Sequence, residues 1–151
     1  MDVKRITPEE TKALLDSGAG YVYVDVRTVE EFSAEHVTGA KNVPFMERNP
    51  SYGGMMVNPQ FAQVMESAFG KDAKLICGCQ RGGRSFKAVQ TLQAAGFQDV
   101  VDMRGGYDGE LDPSGRMIFL GWAPRGLPTC SDSAPEDCYE QLQSGLSQSK
   151  G

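Results

Sequence analysis

Cys79, Arg81 and Arg84 stand together in Cys79-Gln80-Arg81-Gly82-Gly83-Arg84-Ser85, directly after the apolar run Leu75-Ile76-Cys77. A buried strand that breaks into a glycine-containing loop and then a helix places its loop beyond the carboxyl end of a sheet, where ligands bind in open α/β folds. Gly82 and Gly83 let the backbone curl with its N–H groups inward. Such a nest, backed by a helix N-terminus, is an anion site. A thiol there gives up its proton more readily, and the thiolate is the nucleophilic form. Arg81 and Arg84 add positive charge. The segment predicts an activated Cys79 in a cradle that also receives an anionic substrate.

The elements that must hold this loop are readable around it. Thr7-Pro8-Glu9-Glu10 has a capping residue, proline at the first helical position and an acid where a capping box needs one, so a helix starts there and ends at Gly18 to Gly20. Tyr21 to Val26 is a buried strand. A short helix is predicted over 30–36, a brief extended segment over 42–45 and a loop over 49–58. A helix follows over 59–69, with Phe61, Val64, Met65 and Phe69 on one face. The second buried strand, 74–77, enters the cysteine loop. The next helix carries Ala88, Val89, Leu92 and Ala95 on one face and stops at Gly96. A third strand begins at Val100 and ends at Gly105-Gly106. Helices alternating with single buried strands predict an α/β fold, with a mostly parallel central sheet flanked by helices on both faces.

The chain has 151 residues, of which 40% are apolar and 23% charged. That is the composition of one globular domain, able to form a core without disulfides or metal. A formal charge of −5 argues against nucleic-acid and anionic-membrane partners. No apolar run is long enough to span a bilayer, and no signal-peptide pattern follows Met1. A cytosolic location is expected, where thiols stay reduced.

Three other cysteines and the single histidine need accounts of their own. Cys77 shares a strand face with Leu75 and reads as a small core residue. Cys130 and Cys138 fall in a Ser/Gln-rich C-terminal stretch, where they could be incidental, relay sulfur or form a redox bridge. Their spacing with Cys77 and Cys79 does not suit a structural zinc site, and no metal is expected. His36 could in principle pair with Cys79. Gly105-Gly106 lacks the third glycine of a nucleotide loop and reads as a turn.

Cys79 to Ser85 resembles the active-site loop C-x-x-G-x-R-S of single-domain rhodaneses. Val24-Asp25-Val26-Arg27, Glu31-Phe32, His36-Val37, Gly39-Ala40 and Asn42-Val43-Pro44 are similar to the upstream signature of that family. Ala95-Gly96-Phe97, Gly105-Gly106-Tyr107 and Gly126-Leu127-Pro128 follow in the family's order. The loop, C-x4-R, is one residue shorter than the C-x5-R loop of tyrosine and dual-specificity phosphatases, and should wrap more closely about the Cys79 sulfur.

The resemblance implies a rhodanese-like domain over 1–129 and a polar C-terminal tail over 130–151, with one short helix at 135–142. It implies a sulfurtransferase without cofactor. Cys79 would take a sulfane sulfur from thiosulfate or a small persulfide, hold it as a persulfide, and pass it to cyanide, a small thiol or a thiol protein in ping-pong order. Gln80, Arg81, Gly82, Gly83, Arg84 and Ser85 would form the binding loop. Arg81 is expected to attract the donor and Arg84 to fix the loop through a carboxylate. Asp25, Arg27 and Glu31 would form a supporting framework, and His36 would be structural. The alternatives are a sulfur-carrier or regulatory binding module and, disfavoured by the loop length, an arsenate reductase or phosphatase on the same fold. One segment departs from the family: 108–121 intervenes between Gly-Gly-Tyr and Trp122, and is expected as an added hairpin that packs on the domain, covers the loop or meets a partner.

Overall fold

The computed structural model describes residues 2–149 apart from Tyr52. In chain order the elements are β1 (Arg5–Ile6), α1 (Pro8–Asp16), β2 (Val22–Asp25), α2 (Val29–Ala34), β3 (His36–Val37), β4 (Lys41–Asn42), β5 (Met46–Arg48) and β6 (Met55–Val57). They continue with α3 (Phe61–Phe69), β7 (Lys74–Gly78), α4 (Gly83–Ala94), β8 (Asp99–Met103), β9 (Gly109–Leu111), β10 (Met117–Leu120), β11 (Thr129–Cys130) and α5 (Tyr139–Ser149). Short 3-10 turns cover Ala123–Arg125 and Pro135–Asp137.

Five strands form a parallel sheet in the order β1-β8-β7-β2-β4. Side chains alternate between its faces. Val24, Leu75, Cys77 and Val100 meet α3 and α4 through Phe61, Val64, Met65, Ala88, Val89 and Leu92. Tyr23, Ile76, Val101 and Met103 meet Leu14, Leu15, Phe32 and Trp122 on the opposite side. The expected α/β architecture, with helices on both faces, is the one observed. Thr7 and Thr28 cap α1 and α2, each with the reciprocal acid, Glu10 and Glu31.

Three local expectations need correction, and one strand was not foreseen. The helix expected over 30–36 is Val29–Ala34, because Glu35 turns extended and releases His36–Val37 to pair antiparallel with β11. The loop expected over 49–58 contains one arm of an antiparallel ribbon, β5–β6, whose Met55, Met56 and Val57 are exposed. A two-residue edge strand, β1, precedes α1. The polar tail expected over 130–151 begins with β11 and ends in an 11-residue helix, α5, rather than a short helix over 135–142. Tyr139, Leu142 and Leu146, at helical spacing, pack that helix on the core beside α3. Asn58 Nδ2 donates to the Tyr139 hydroxyl at 2.9 Å, and Lys41 pairs with Asp137 at 2.6 Å.

The inserted 108–121 segment forms the expected hairpin, β9–β10. The Arg104 and Arg125 guanidiniums both pack on its Phe119 ring, at 4.1 and 4.8 Å from the centroid.

Candidate active site

Strand β7 ends against the ring of Tyr23 at Gly78, where a Cβ would sit 1.8 Å from the Tyr23 hydroxyl oxygen. Only glycine passes there, and Cys79 follows at once. The residue is 2% exposed. The backbone N–H of Gly82 points at its sulfur from 3.0 Å and that of Ser85 from 3.3 Å, with the Ser85 hydroxyl at 3.4 Å. Gly82 caps α4 with φ +109, a conformation that glycine adopts without strain. The predicted nest is therefore closed around sulfur itself, and it lies at the positive end of α4.

The turn after β8 supports the loop from beneath. Tyr107 N–H donates to the Cys79 carbonyl at 2.7 Å, and Asp108 N–H to that of Gln80 at 2.9 Å. Gly106 has φ +63, and a Cβ on it would lie 2.3 Å from the Cys79 carbonyl oxygen. The glycine pair read as a simple turn is thus a bearing surface for the nucleophile loop.

Arg84 turns away from the sulfur, as expected, and clamps Glu31 with two bonds of 2.7 and 3.0 Å. The same Glu31 closes the capping box of α2, accepting from Thr28 N–H at 3.1 Å. Burial works to raise the Glu31 carboxyl, but Arg84 and Thr28 outweigh it and hold it at about 2. A depressed carboxylate stabilises the fold above its unfolded value, and that contribution disappears as the pH falls through its folded value. The acid limb of the stability curve should therefore extend from about 4.5 down toward about 2. Glu31→Gln should flatten that limb in urea titrations run at successive pH values, while removing stability near neutrality. An unchanged limb would refute the assignment.

Asp25 and Arg27 form a buried pair, both under 4% exposed. Arg27 Nη2 donates to Asp25 at 2.7 Å and to the Glu35 carbonyl at 2.6 Å, while Nη1 donates to Gln80 Oε1 at 2.8 Å. Its guanidinium lies 4.6 Å from the Tyr107 ring centroid. Gln80 continues to Asp108 through its amide. Arg81 reaches the base of the inserted hairpin, donating to the Gly109 carbonyl at 3.1 Å. The hairpin base thus braces the loop, whereas Leu111, Met117, Ile118 and Leu120 remain exposed.

All the anticipated loop and framework residues converge on this site. His36 belongs elsewhere: its ring stacks on Phe32 at 4.0 Å, and its nitrogens face the Phe32 carbonyl, the Asp132 carbonyl and Cys130. Cys77 packs in the core as expected, where burial pushes its thiol well up. The sequence reading missed Arg5, Asp102 and Tyr107. Asp102 had a signal, an acid inside the apolar run Val100-Val101-Asp102-Met103. The Ser85 hydroxyl donates to its Oδ1. Arg5 enters only because β1 pairs with β8, which brings its Nε to 2.9 Å from Asp102 Oδ2.

A cleft of about 370 Å³ lies beside the cradle, lined by Arg5, Arg81, Gly82, Gly83, Phe86, Lys87 and Glu110. Three cations against one carboxylate make it a place for an anion.

Residues 7–110 match the family model described as "Rhodanese-like domain". Over 111 residues the chain is 48% identical to thiosulfate sulfurtransferase 16, chloroplastic, of Arabidopsis thaliana, covering 74% of this chain and 81% of the relative. It is 37% identical over 111 residues to the mitochondrial protein HIGH ARSENIC CONTENT 1 of the same plant, covering 74% and 63%. Among solved structures, the Rv0390 protein of M. tuberculosis superposes with a TM-score of 0.71 at 24% identity, covering 87% of this chain and all of that one. The matched span includes the whole nucleophile loop, its framework and the supporting turn, and the chain belongs to the rhodanese-like domain family.

Proposed function

We propose that the protein is a sulfurtransferase that carries a sulfane sulfur on Cys79. The observation that carries this reading is the Cys79 sulfur itself, which accepts from two backbone N–H groups beside a cationic cleft. Donors arranged in that way stabilise a sulfur anion, whether thiolate or terminal persulfide.

The Cys79 thiolate attacks the outer sulfur of thiosulfate. A new S–S bond forms, the old one breaks, and sulfite leaves with the bonding electrons. The Cys79 persulfide anion stays in the nest. A thiophilic acceptor, such as cyanide or a small thiolate, then attacks its outer sulfur and returns the Cys79 thiolate. Two half-reactions at one residue require ping-pong kinetics. We propose a small-molecule donor and either a small thiol or a protein thiol as acceptor. The name of the Arabidopsis relative, a thiosulfate sulfurtransferase, supports the donor.

Arg81 lines the cationic cleft beside the loop. Arg81→Ala should raise the KM for thiosulfate roughly 10-fold, the worth of one charge-assisted contact, while changing kcat less. Initial rates over a grid of thiosulfate and cyanide concentrations test both statements. Parallel double-reciprocal lines are expected, and intersecting lines would overturn the persulfide route. The relative named for arsenic content makes arsenate the useful control substrate. Arsenate reduction without sulfur transfer would favour the reductase reading over this one.

A further inference from the structure

Ser85 stands between two ionisable groups that compete for its one hydroxyl proton, with the neutral Gly82 carbonyl a more distant acceptor at 3.3 Å. Its Oγ lies 3.4 Å from the Cys79 sulfur and is hydrogen-bonded to Oδ1 of Asp102. Asp102 is 0% exposed, on the interior strand β8, and its other oxygen accepts from Arg5 at 2.9 Å. A hydroxyl can donate to one anion only. If sulfur and carboxylate were both ionised, one of them would face an oxygen lone pair in a dry interior, which is costly.

Two arrangements satisfy every atom. In the first, the thiol donates to Ser85 and Ser85 donates to the Asp102 carboxylate. In the second, protonated Asp102 donates to Ser85 and Ser85 donates to the thiolate. They have the same atoms and the same total charge, and differ by one concerted step. We propose that Asp102 is a positioning residue that receives the Cys79 proton through Ser85: the S–H bond breaks with its electrons left on sulfur, that proton moves to Ser85 Oγ, and Ser85's own proton moves to Asp102. The nucleophile is then formed without adding charge to the core.

The surroundings of Asp102 suit this role. Burial pushes its carboxyl above the usual range, against the pull of Ser85 and Arg5, and the charge of Glu110 adds to the rise. Arg5, on β1, is shared with Glu110 on β9 at 3.5 Å, and Glu110 is also held by Arg104. Cys77 on β7 and Tyr23 on β2 are both pushed up by burial and stay neutral, so neither competes for the proton.

The proposal rests on Cys79 as the reacting thiol but not on the identity of the donor. The test is a carbon-13 NMR pH titration of the Asp102 carboxyl, assigned by its loss in Asp102→Asn, in wild type, Cys79→Ser, Ser85→Ala, Ser85→Thr and the Cys79→Ser/Ser85→Ala double variant. The wild-type Asp102 signal should titrate at higher pH than in Cys79→Ser, because only the wild type can place an anion beyond Ser85. Ser85→Ala should abolish that dependence on Cys79, and Ser85→Thr, which keeps a hydroxyl, should retain it. In parallel, the pH profile of iodoacetamide alkylation at Cys79 should show two steps in wild type and one in Asp102→Asn. Identical Asp102 titrations in wild type and Cys79→Ser, or a difference that survives Ser85→Ala, would overturn the relay. Thiosulfate loading of the same wild-type sample separates the two claims. Loading without an Asp102 response sinks the relay alone, and an Asp102 response without loading sinks the sulfur-donor reading alone.

Discussion

Incubated with thiosulfate, the wild-type protein should gain the mass of one sulfur atom, and Cys79→Ser should gain none. Turnover with cyanide should fall by at least about 10⁴-fold in the variant, the scale seen when a nucleophile is removed from an otherwise intact site. Cyanide or dithiothreitol should strip the added sulfur from the wild type, since both attack a persulfide's outer atom. The other cysteines serve as internal controls. Cys77 is buried and held neutral by its surroundings. Cys130 lies in β11 and Cys138 directly before α5, bonded to the carbonyls of Asp132 and Ala134. A sulfur adduct that persists in Cys79→Ser would place the chemistry on one of those residues and end the reading built on the loop.

The second large effect concerns stability. Arg27→Ala removes the guanidinium that Asp25, Gln80 and the Glu35 carbonyl share, and leaves the Asp25 carboxylate buried without its partner. Breaking such a pair from one side costs about 3–5 kcal/mol. That is a large part of the 5–15 kcal/mol available to a typical domain. The midpoint of urea unfolding at pH 7 reads the loss directly. The Asp25→Ala/Arg27→Ala double variant should lose less than the sum of the two single changes, because no lone charge is left behind. A loss below about 1 kcal/mol would mean that the pair is solvated in solution. The remaining folded protein should also load sulfur more slowly, since the Gln80 side chain loses one of its two anchors.

Local features were the legible ones. The nucleophile loop could be read because every group on the Cys79 sulfur comes from residues 82–85, within one turn of chain. The framework of Asp25, Arg27 and Glu31 was named through family resemblance, but what each holds depends on contacts across the sheet. Glu31 shows the difference. Its place in the Thr28-x-x-Glu31 box is visible in the sequence, while its bond to Arg84 spans 53 positions. Arg5 was out of reach because a two-residue strand has no periodicity. Helix α5 was underestimated because serine and glutamine fill the positions between Tyr139, Leu142 and Leu146. Those fillers lower the apolar signal without breaking the helical spacing. The β5–β6 ribbon escaped for a related reason: its outer strand is exposed throughout, so no alternation marks it.

The enclosure of the Cys79 sulfur also bears on its life in an oxidising episode. A thiolate climbs from sulfenic to sulfinic to sulfonic acid by adding one oxygen at a time, and the later steps are not reversed by ordinary thiols. Here two backbone N–H groups and the Ser85 hydroxyl oxygen crowd the sulfur of a residue that is 2% exposed. A sulfur hemmed in by these contacts has less room for two or three added oxygens than for one. The loop should therefore stop peroxide damage at the first, recoverable rung. A terminal sulfur already in place would shield the cysteine, so that dithiothreitol restores a free thiol after an exposure that would destroy an open one.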